Sequence, residues 1–343
     1  MITGIAAKNQ TKNSSSLTSS SWQRALASAV RDPFELIQLL DLQGQEAEIS
    51  LEAARQFRLL APHSYVRRMK KGDWQDPLLR QVLPLAAEMQ METGFLMDPV
   101  GDTAAMVSEG VLHKYQGRIL LVTTGACAIH CRYCFRRHFP YSEANPARDQ
   151  WQEALDYIAS NSDITEVLLS GGDPLTLSDE RLSLLCERIA AIEHVQRIRF
   201  HTRLPVVLPE RIDERLLTWL NQLNKPVIMV IHANHANEFA DAEVQAGLKA
   251  LREVGVLLLN QSVLLRGVND SVAALAALSE ALVAAQVLPY YLHSLDRVQG
   301  AAHFEVPEEE AKALVAALRL VVPGYMVPQL VREVAGEGAK TPL

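Results

Sequence analysis

Three cysteines stand close together in the segment 121–141, whose sequence is LVTTGACAIHCRYCFRRHFPY. Cys127, Cys131 and Cys134 form a C-x₃-C-x₂-C array directly after an apolar run typical of a β-strand. Thiolates are soft ligands, and a cubane [4Fe–4S] cluster is usually held by four of them. Because no fourth cysteine lies near these three in the sequence, one iron would remain free to bind another ligand. The array therefore favours an iron–sulfur cluster with one open coordination position.

Zinc and a disulfide are the two other uses that such cysteines could have. A structural zinc ion accepts three cysteines and one histidine, and His130 or His138 could be the fourth ligand. Paired zinc knuckles, however, usually show two separated C-x₂-C halves, and this segment contains one. A disulfide suits an oxidising compartment, for which the sequence gives no sign. The remaining cysteine, Cys186, lies in the apolar helical segment LSLLCERIAA, so we expect it to pack in the core.

The composition is that of an ordinary globular protein with a sizeable core. The 343 residues are 48% hydrophobic and 21% charged, with a net charge of −7, which argues against a nucleic-acid-binding face. The dense basic run at 67–71 is interpreted as a solvated helix end without a function. No stretch is long and apolar enough for a membrane span, and the Ser-rich N-terminus lacks the features of a signal peptide. We therefore expect a cytoplasmic protein without membrane or nucleic-acid partners.

The order of apolar and polar residues divides the chain into regions. Residues 1–20 are polar and predicted to be disordered, and 21–110 are predicted to be a helical lead-in, with Asp32 as an N-cap before Pro33. In the core, 111–325, apolar runs alternate with amphipathic helical patterns, which predicts a parallel sheet with right-handed crossovers. The pattern fits either an open doubly wound sheet or a partial (β/α)₆ barrel. Helices are predicted in the lead-in at 51–60 and 77–91; strands are predicted at 119–124, 166–171, 197–202, 226–232, 256–263 and 288–294; the crossover helices are predicted near 147–160, 178–192, 210–222, 238–253, 270–285 and 307–320.

Polar residues follow or interrupt several of the predicted strands. Active sites of both parallel architectures lie at the carboxyl ends of the strands. Polar groups inside apolar strands are costly unless a ligand or an internal network pairs them. The glycines among them would let the backbone approach a ligand closely. These residues are Ser170, Gly171, Gly172 and Asp173 after the second strand, His232 in the fourth and Gln261 in the fifth.

The cysteine array, with Tyr133 just before its third cysteine, resembles the signature of the radical S-adenosylmethionine (SAM) superfamily. In that superfamily the free iron chelates SAM, and the resemblance selects the partial (β/α)₆ barrel. It implies SAM contacts from Tyr133 and from the strand-end residues. Ser170, Gly171 and Gly172 fall within a GGE-like motif in which Asp173 replaces the glutamate. His232 and Gln261 are the expected SAM contacts on later strands.

From Asp76 onwards the sequence resembles the lysine 2,3-aminomutase family. The motifs that carry this likeness are HKYQGRILLVTTGACAIHCRYCFRRHF, LLSGGDPL, RLPVVLPERI, LLNQSVLLRGVND and GYMVPQLVREVAGEGAKTPL. The family uses a [4Fe–4S] cluster, SAM and pyridoxal 5′-phosphate (PLP) to move an amino group to a neighbouring carbon. The short length resembles the branch that makes (R)-β-lysine for modifying elongation factor P. Larger members continue beyond the PLP lysine with a segment for assembly and zinc binding, so neither property is expected here.

The resemblance also assigns residues to PLP and to the substrate. Residues 326–343 become a closing segment in which Lys340 forms the Schiff base with PLP. The phosphate would be held by Lys114, Tyr115 and Arg118, where Lys114 replaces a family arginine. The substrate carboxylate would pair with Arg136, and the ε-ammonium of lysine with Asp296 and Glu333, the latter replacing a family aspartate.

These assignments imply an isomerase that converts L-α-lysine to (R)-β-lysine. They also imply an electron donor such as a flavodoxin-type protein, and a functional link to elongation factor P and its lysyl-transferring enzyme. One alternative is an aminomutase for another amino acid such as glutamate, which should present a cation in the distal pocket. An alternative of another class is a zinc-stabilised binding module that presents the basic run 67–71.

Overall fold

The computed structural model describes residues 20–44, 46–141 and 151–343. The disorder predicted for 1–20 lies outside these residues, apart from Ser20. Within the described residues, ten strands form one sheet whose spatial order equals their order in the chain. The strands are β1 (Met106–Ser108), β2 (Val111–Tyr115), β3 (Arg118–Thr124), β4 (Glu166–Gly171), β5 (Arg197–Thr202), β6 (Val227–His232), β7 (Leu257–Val263), β8 (Leu288–His293), β9 (Gln329–Arg332) and β10 (Thr341–Pro342).

Strands β3 to β9 are parallel, and this arrangement confirms the predicted sheet. The antiparallel strands β1 and β2 precede β3 at one edge, and β10 pairs antiparallel with β9 at the other. The six predicted strands correspond to β3 through β8 within a residue or two. Strand β9 was not predicted, and it extends the parallel part of the sheet to seven strands among the described residues.

Helices follow the strands as expected for βα units. They are α6 (Gln152–Ser160), α7 (Asp179–Ala190), α8 (Leu204–Val207), α9 (Glu214–Gln222), α10 (Ala242–Glu253), α11 (Val272–Ala284) and α12 (Glu308–Leu318). Residues 142–150, which include the predicted start of α6, lie outside the described part. Cys186 is completely buried in α7, which confirms the prediction that it packs in the core.

The alternation of burial along β5 indicates which face of the sheet is open. Ile198, Phe200 and Thr202 are buried, whereas Arg199 and His201 between them are half-buried. In a strand, successive side chains point to opposite faces. One face of β5 therefore packs in the apolar core, and the other presents polar groups to the interior of the barrel.

The described part of the lead-in contains five short α-helices, and two of them cover fewer residues than predicted. They are α1 (Ser21–Ala27), α2 (Pro33–Leu39), α3 (Leu51–Gln56), α4 (His63–Val66) and α5 (Pro77–Arg80). Asp32 caps α2 by accepting from the Phe34 amide at 2.9 Å, as predicted. The helices predicted over 51–60 and 77–91 are shorter in the structure. Helix α3 ends at Gln56, after which Phe57 is already extended, and α5 ends at Arg80, four residues before Pro84, which cannot continue a helix.

The lead-in packs on the barrel and holds the cysteine loop. The His130 amide donates to the Leu60 carbonyl at 3.0 Å, and the Arg132 amide donates to the Gln81 carbonyl at 2.9 Å. The Arg132 guanidinium is fully buried and pairs with Glu88 at 2.6 Å. Removing one partner of such a buried pair is costly, so the loop is strongly tied to the lead-in. No helix in the described ranges is long and apolar enough to cross a membrane.

Three of the four cations in the basic run 67–71 pair with acids of the same chain, and the fourth, Arg68, is half-buried and donates to backbone carbonyls. Arg67 pairs with Asp241 at 2.8 Å and also contacts Glu243, and Lys70 pairs with Asp73 at 3.0 Å. Lys71 pairs with Asp41 at 3.1 Å. These pairs support the interpretation of the run as a solvated helix end. They give no support to the binding-module alternative.

Candidate active site

The cysteine loop follows β3 and carries three half-buried free thiols. Burial, and then the charge of Cys131, raise the pKa of Cys134 to about 11, and burial with the neighbouring Cys134 raises that of Cys127. The three sulfur atoms therefore lie within electrostatic reach of one another. Burial disfavours the charged thiolate form of Cys127 and Cys134, and a bound metal would restore it by neutralising the charge.

The surroundings of these thiols fit an iron–sulfur cluster better than a single zinc ion. His130 Nδ1 bonds to the Arg58 carbonyl at 2.8 Å, and His138 Nε2 bonds to the Gln299 carbonyl at 3.2 Å. Each bond engages one ring nitrogen, as it also would in a zinc-bound histidine, so these bonds do not distinguish the two kinds of site. Among residues 20–44, 46–141 and 151–343, no three acid, imidazole or thiol side chains converge on a point for one metal ion. A cubane does not require such convergence because each thiolate binds a different iron.

A buried polar network, which we call the Arg203 network, lies beside Cys131. Arg203 Nη1 donates to Cys131 Sγ at 2.7 Å and to the Tyr133 hydroxyl at 2.8 Å. The hydroxyl of Tyr133, a predicted SAM contact, is thus already bonded within the protein. The network consists of Gln81, Tyr133, Arg203, Asn234 and Glu238.

The glycines after β4 lie directly against the start of the cysteine loop. The Gly172 amide donates to the Thr124 carbonyl and the Asp173 amide to the Ala126 carbonyl, both at 2.7 Å. A Cβ atom on Gly172 would stand 2.2 Å from the Ala126 carbonyl oxygen, which only glycine avoids. Gly171 has a φ of +120°, a conformation that favours glycine. The glycine motif therefore holds the start of the cysteine loop through backbone hydrogen bonds. Its contacts with SAM remain a prediction.

Both carboxylate oxygens of Asp173 accept hydrogen bonds from other groups of the protein. It accepts from the Thr202 hydroxyl at 2.8 Å, from the Arg203 amide at 2.7 Å and from the Leu175 amide at 3.1 Å. Burial raises its pKa to about 6 in spite of these bonds. In this structure Asp173 joins the carboxyl ends of β4 and β5.

Five charged side chains form a continuous series that we call the ionic chain. Arg136 Nε donates to Asp102 Oδ2 at 2.6 Å, and Lys114 Nζ lies 2.6 Å from Asp102 Oδ1. Lys114 also contacts Glu333 Oε1 at 2.9 Å, and Glu333 Oε2 accepts from Lys340 Nζ at 2.6 Å. The ionic chain thus joins residues with four predicted roles. These are binding the substrate carboxylate, the PLP phosphate and the substrate ammonium, and forming the Schiff base.

The ionic chain also closes the gap between the two ends of the sheet. Lys114 lies on β2 near one edge, and Glu333 directly follows β9 near the other. Their contact at 2.9 Å joins these ends through side chains rather than through backbone pairing. The barrel is therefore partial, and charges occupy its opening.

Asp102 was missed by the sequence analysis, which assigned it no role. It is 2% exposed and lies between two cations. Burial would raise its pKa, but Arg136 and Lys114 outweigh burial and lower it. A single aspartate before a strand carries no spacing signal, so its partners become visible only in three dimensions.

Asp296 differs from the acids of the ionic chain. Its side chain makes no hydrogen bond or ion pair with the residues that the structure describes. Burial, followed by the nearby charge of Glu333, raises its pKa to about 7. For Glu333 burial acts in the same direction, but Lys340 and Lys114 lower the pKa to about 2. Asp296 is consequently the acid that is open to a cationic ligand.

Tyr115 and Arg118 lie at the turn between β2 and β3. The Arg118 guanidinium stands over the Tyr115 ring, 4.4 Å from its centroid. Burial and then Glu333 raise the pKa of Tyr115, so the phenol stays protonated and can donate. Together with Lys114 they place two cations and one hydroxyl in one part of the barrel, a set that suits a phosphate dianion.

Imidazole groups line the barrel near the strand ends. His232 Nε2 bonds to Gln261 Nε2 at 2.9 Å across neighbouring strands, and burial lowers the pKa of His232 to about 3. His201, whose ring lies 5.6 Å from that of His232, and His293 each have a buried Nε2 without a partner among the described residues. Buried polar atoms are normally paired. These two nitrogen atoms are available to a ligand in the barrel, and the sequence analysis missed both residues.

Ser170 connects the strand-end residues to the ionic chain. Its hydroxyl accepts from Arg136 Nη1 at 3.1 Å. The structure thus brings together the predicted residues of the substrate and PLP sites. The cysteine loop and the glycine motif lie next to them through Arg136 and Ser170.

Comparison with known proteins identifies relatives that match nearly the whole chain. The model of the radical SAM superfamily matches residues 121–278. L-lysine 2,3-aminomutase from Escherichia coli (strain K12) is 48% identical, over 94% of this chain and 94% of that one. The enzyme of the same name from Haemophilus influenzae is 45% identical over 93% and 94%. That from Clostridium subterminale is 34% identical over 94% of this chain and 77% of its own length. The chain belongs to the lysine 2,3-aminomutase family.

Proposed function

We propose that this protein is a radical SAM and PLP-dependent isomerase that converts L-α-lysine to (R)-β-lysine. The relatives named L-lysine 2,3-aminomutase, which match nearly the whole chain, support this reaction. The observation that carries the choice of substrate is the pair of acids, Asp296 and Glu333, near Lys340. A glutamate aminomutase would need a cation for the distal carboxylate, whereas Asp296 offers an unpaired acid.

The residues fit the three cofactors of this chemistry. Cys127, Cys131 and Cys134 would hold the [4Fe–4S] cluster, and Lys340 would hold PLP. The cluster with SAM supplies an organic radical, and PLP stabilises an unpaired electron beside the migrating nitrogen. The assigned phosphate and SAM contacts are parts of the same proposal.

Arg136 is the group proposed to bind the substrate carboxylate. Asp102 holds its Nε at 2.6 Å and Ser170 holds one Nη at 3.1 Å, so the guanidinium is oriented before substrate arrives. A guanidinium whose rotamer is already fixed loses less entropy on binding a carboxylate. Arg136 therefore supplies both energy and direction to the substrate.

Glu333 links the state of Lys340 to substrate binding. Its Oε2 accepts from Lys340 Nζ at 2.6 Å. If Lys340 held PLP, it would lose this ammonium charge, and Glu333 would then have an oxygen for another cation. The ε-ammonium of lysine can replace the lost charge and also pair with Asp296. The charge balance of the pocket thus favours a diamino acid as substrate.

The proposal extends to the surroundings of the enzyme. We propose a cytoplasmic location and a one-electron donor such as a flavodoxin-type protein. The product would serve the modification of elongation factor P through its lysyl-transferring enzyme. The resemblance to the short branch of the family supports this last link.

An anaerobic assay with SAM, PLP, a reductant and either lysine or glutamate tests the reaction, read by product chromatography. Wild type should convert lysine to β-lysine. Asp296→Asn and Glu333→Gln should each lower kcat/KM for lysine about ten- to a hundredfold, because a hydrogen bond to a charged group contributes about 1.5–3 kcal/mol.

Glu309→Gln is the matched control, because the Glu309 side chain is 90% exposed on α12. It should turn over lysine like wild type. A preference of wild type for glutamate, or unchanged lysine turnover in both acid variants, would refute the lysine assignment.

A further inference from the structure

Arg203 approaches one of the three proposed cluster cysteines from within the protein. It directly follows β5 and is 5% exposed. Its Nη1 lies 2.7 Å from Cys131 Sγ. Nothing in the proposed reaction assigns a task to this buried cation, although it touches a cluster ligand.

The guanidinium is held by acceptors from separate parts of the chain. Arg203 Nη2 donates to Gln81 Oε1 at 2.7 Å and to Glu238 Oε2 at 2.9 Å. Gln81 belongs to the lead-in, and Glu238 follows β6. Glu238 is in turn fixed, because its Oε1 accepts from the Asn234 amide at 2.8 Å. The position of the cation is therefore defined independently of Cys131.

The backbone of Arg203 is fixed as well. Asp173 accepts from the Arg203 amide at 2.7 Å and from the Thr202 hydroxyl at 2.8 Å. The glycine motif that contains Asp173 also contacts the start of the cysteine loop through Ala126. One motif thus sets the distance between the loop and the end of β5, and with it the contact between Arg203 and Cys131.

A donor at a cluster sulfur changes the energy of the two oxidation states unequally. Reduction adds one negative charge to the cluster and its thiolates, and a nearby cation stabilises the more negative state. Hydrogen bonds to sulfur are among the factors that set the reduction potentials of iron–sulfur clusters. The low exposure of Arg203, 5%, limits screening of its charge by solvent and salt.

We propose that Arg203 is a positioning residue that, through its hydrogen bond to Cys131 Sγ, raises the reduction potential of the cluster. Glu238, the anion on the other side of the guanidinium, opposes this effect. The inference rests on the proposed assignment of Cys127, Cys131 and Cys134 as cluster ligands. It adds a residue that determines how easily the cluster accepts its electron.

The test is a redox titration of the anaerobically reconstituted protein without SAM or lysine, followed by electron paramagnetic resonance of the reduced cluster. Arg203→Gln should lower the reduced-to-oxidised ratio at a fixed potential about tenfold, which is a midpoint about 59 mV lower for one electron. Arg203→Lys keeps the charge and should shift the midpoint less. Glu238→Gln removes the opposing charge and should shift the midpoint upwards.

The opposite signs separate an electrostatic role from a structural one. General damage to the network would move both variants in the same direction or leave the midpoint unchanged at full cluster content, and either result would overturn the inference. If neither variant at 203 retains a cluster, Glu238→Gln decides: an upward shift supports the inference and any other result refutes it. A wild-type protein that takes up no cluster would overturn the proposed function and this inference together, whereas a loaded wild type with an unshifted Arg203→Gln overturns the inference alone.

Discussion

The Arg203 network and the ionic chain are both buried, but they use charge differently. The Arg203 network contains one ion pair, Arg203 with Glu238, surrounded by neutral acceptors such as Gln81 and the Tyr133 hydroxyl. The ionic chain contains three cations and two acids, and each acid bridges two cations. The Arg203 network holds a single cation in place, whereas the ionic chain consists of charged side chains of alternating sign with one cation in excess.

This difference indicates which of the two groups of side chains can exchange a member for a ligand. In the Arg203 network, several neutral partners share one donor, so a new ligand would have to break many hydrogen bonds at once. In the ionic chain, a ligand that carries the same sign as one member can replace it without leaving a buried charge unpaired. The network is therefore suited to holding the cysteine loop, and the ionic chain to exchanging protein charges for those of cofactor and substrate.

The largest expected effect separates the cysteine loop from the core. Cys131→Ala removes a proposed cluster ligand and should abolish the iron–sulfur absorbance and SAM cleavage after anaerobic reconstitution. Cys186→Ala should retain both, because Cys186 is completely buried in α7. An iron–sulfur cluster that is retained in Cys131→Ala but lost in Cys186→Ala would show that the cluster ligands are wrongly assigned.

The second effect concerns the ionic chain and its exchangeable cation. Lys340→Ala should remove the covalent attachment of PLP, seen as the loss of the absorbance that borohydride fixes to the protein. Peptide mapping of reduced wild type should find the pyridoxyl group on Lys340. Lys114 is the informative competitor, because it binds the other oxygen of Glu333 at 2.9 Å. A pyridoxyl group on Lys114 instead of Lys340 would mean that Lys114 forms the Schiff base. Weak binding of PLP to Lys340→Ala through its phosphate is compatible with the assignment.

The smallest effect is on stability, and it concerns the acid outside the ionic chain. The pKa of Asp296 is raised from 3.8 to about 7 by burial and by Glu333. The folded protein therefore keeps a proton that the unfolded chain releases, and the stability of the ligand-free protein falls as pH rises between these values. Asp296→Asn should remove this loss.

Thermal unfolding of both proteins between pH 4 and pH 8 measures this effect. The midpoint of Asp296→Asn should exceed that of wild type by an amount that grows up to about pH 7 and then levels off. Glu309→Gln should show no such trend. A difference that is constant over this range would mean that Asp296 is not held as an unpaired buried acid.

Most of the fold could be predicted because the strands are near-continuous apolar runs between amphipathic helices. Strand β9 was missed because its four residues directly follow Pro328 and contain too short a pattern. The helices over 51–60 and 77–91 were predicted too long because the apolar periodicity continues beyond Gln56 and Arg80, where the helices end.

The site was predicted less completely, and the reason is physical. Sequence motifs reveal site residues that lie close together in the chain at a characteristic spacing, as in the cysteine array. Asp102 and Arg203 act through contacts between distant segments, and a single aspartate or arginine carries no local signal of its partner. The use of Asp173 as a link between two strand ends likewise depends on atoms outside its own motif.

The strand order has a consequence for how the site forms during folding. Among the described residues every strand pairs with its neighbour in the chain, so the sheet can grow by adding one crossover and one strand after another. The contact between Lys114 and Glu333 joins residues 219 positions apart and becomes favourable only after the strands between them are in place. Contacts of such long sequence separation form late and contribute little to the early folding rate. Substitutions in the ionic chain should accordingly change the rate of unfolding rather than the rate of folding.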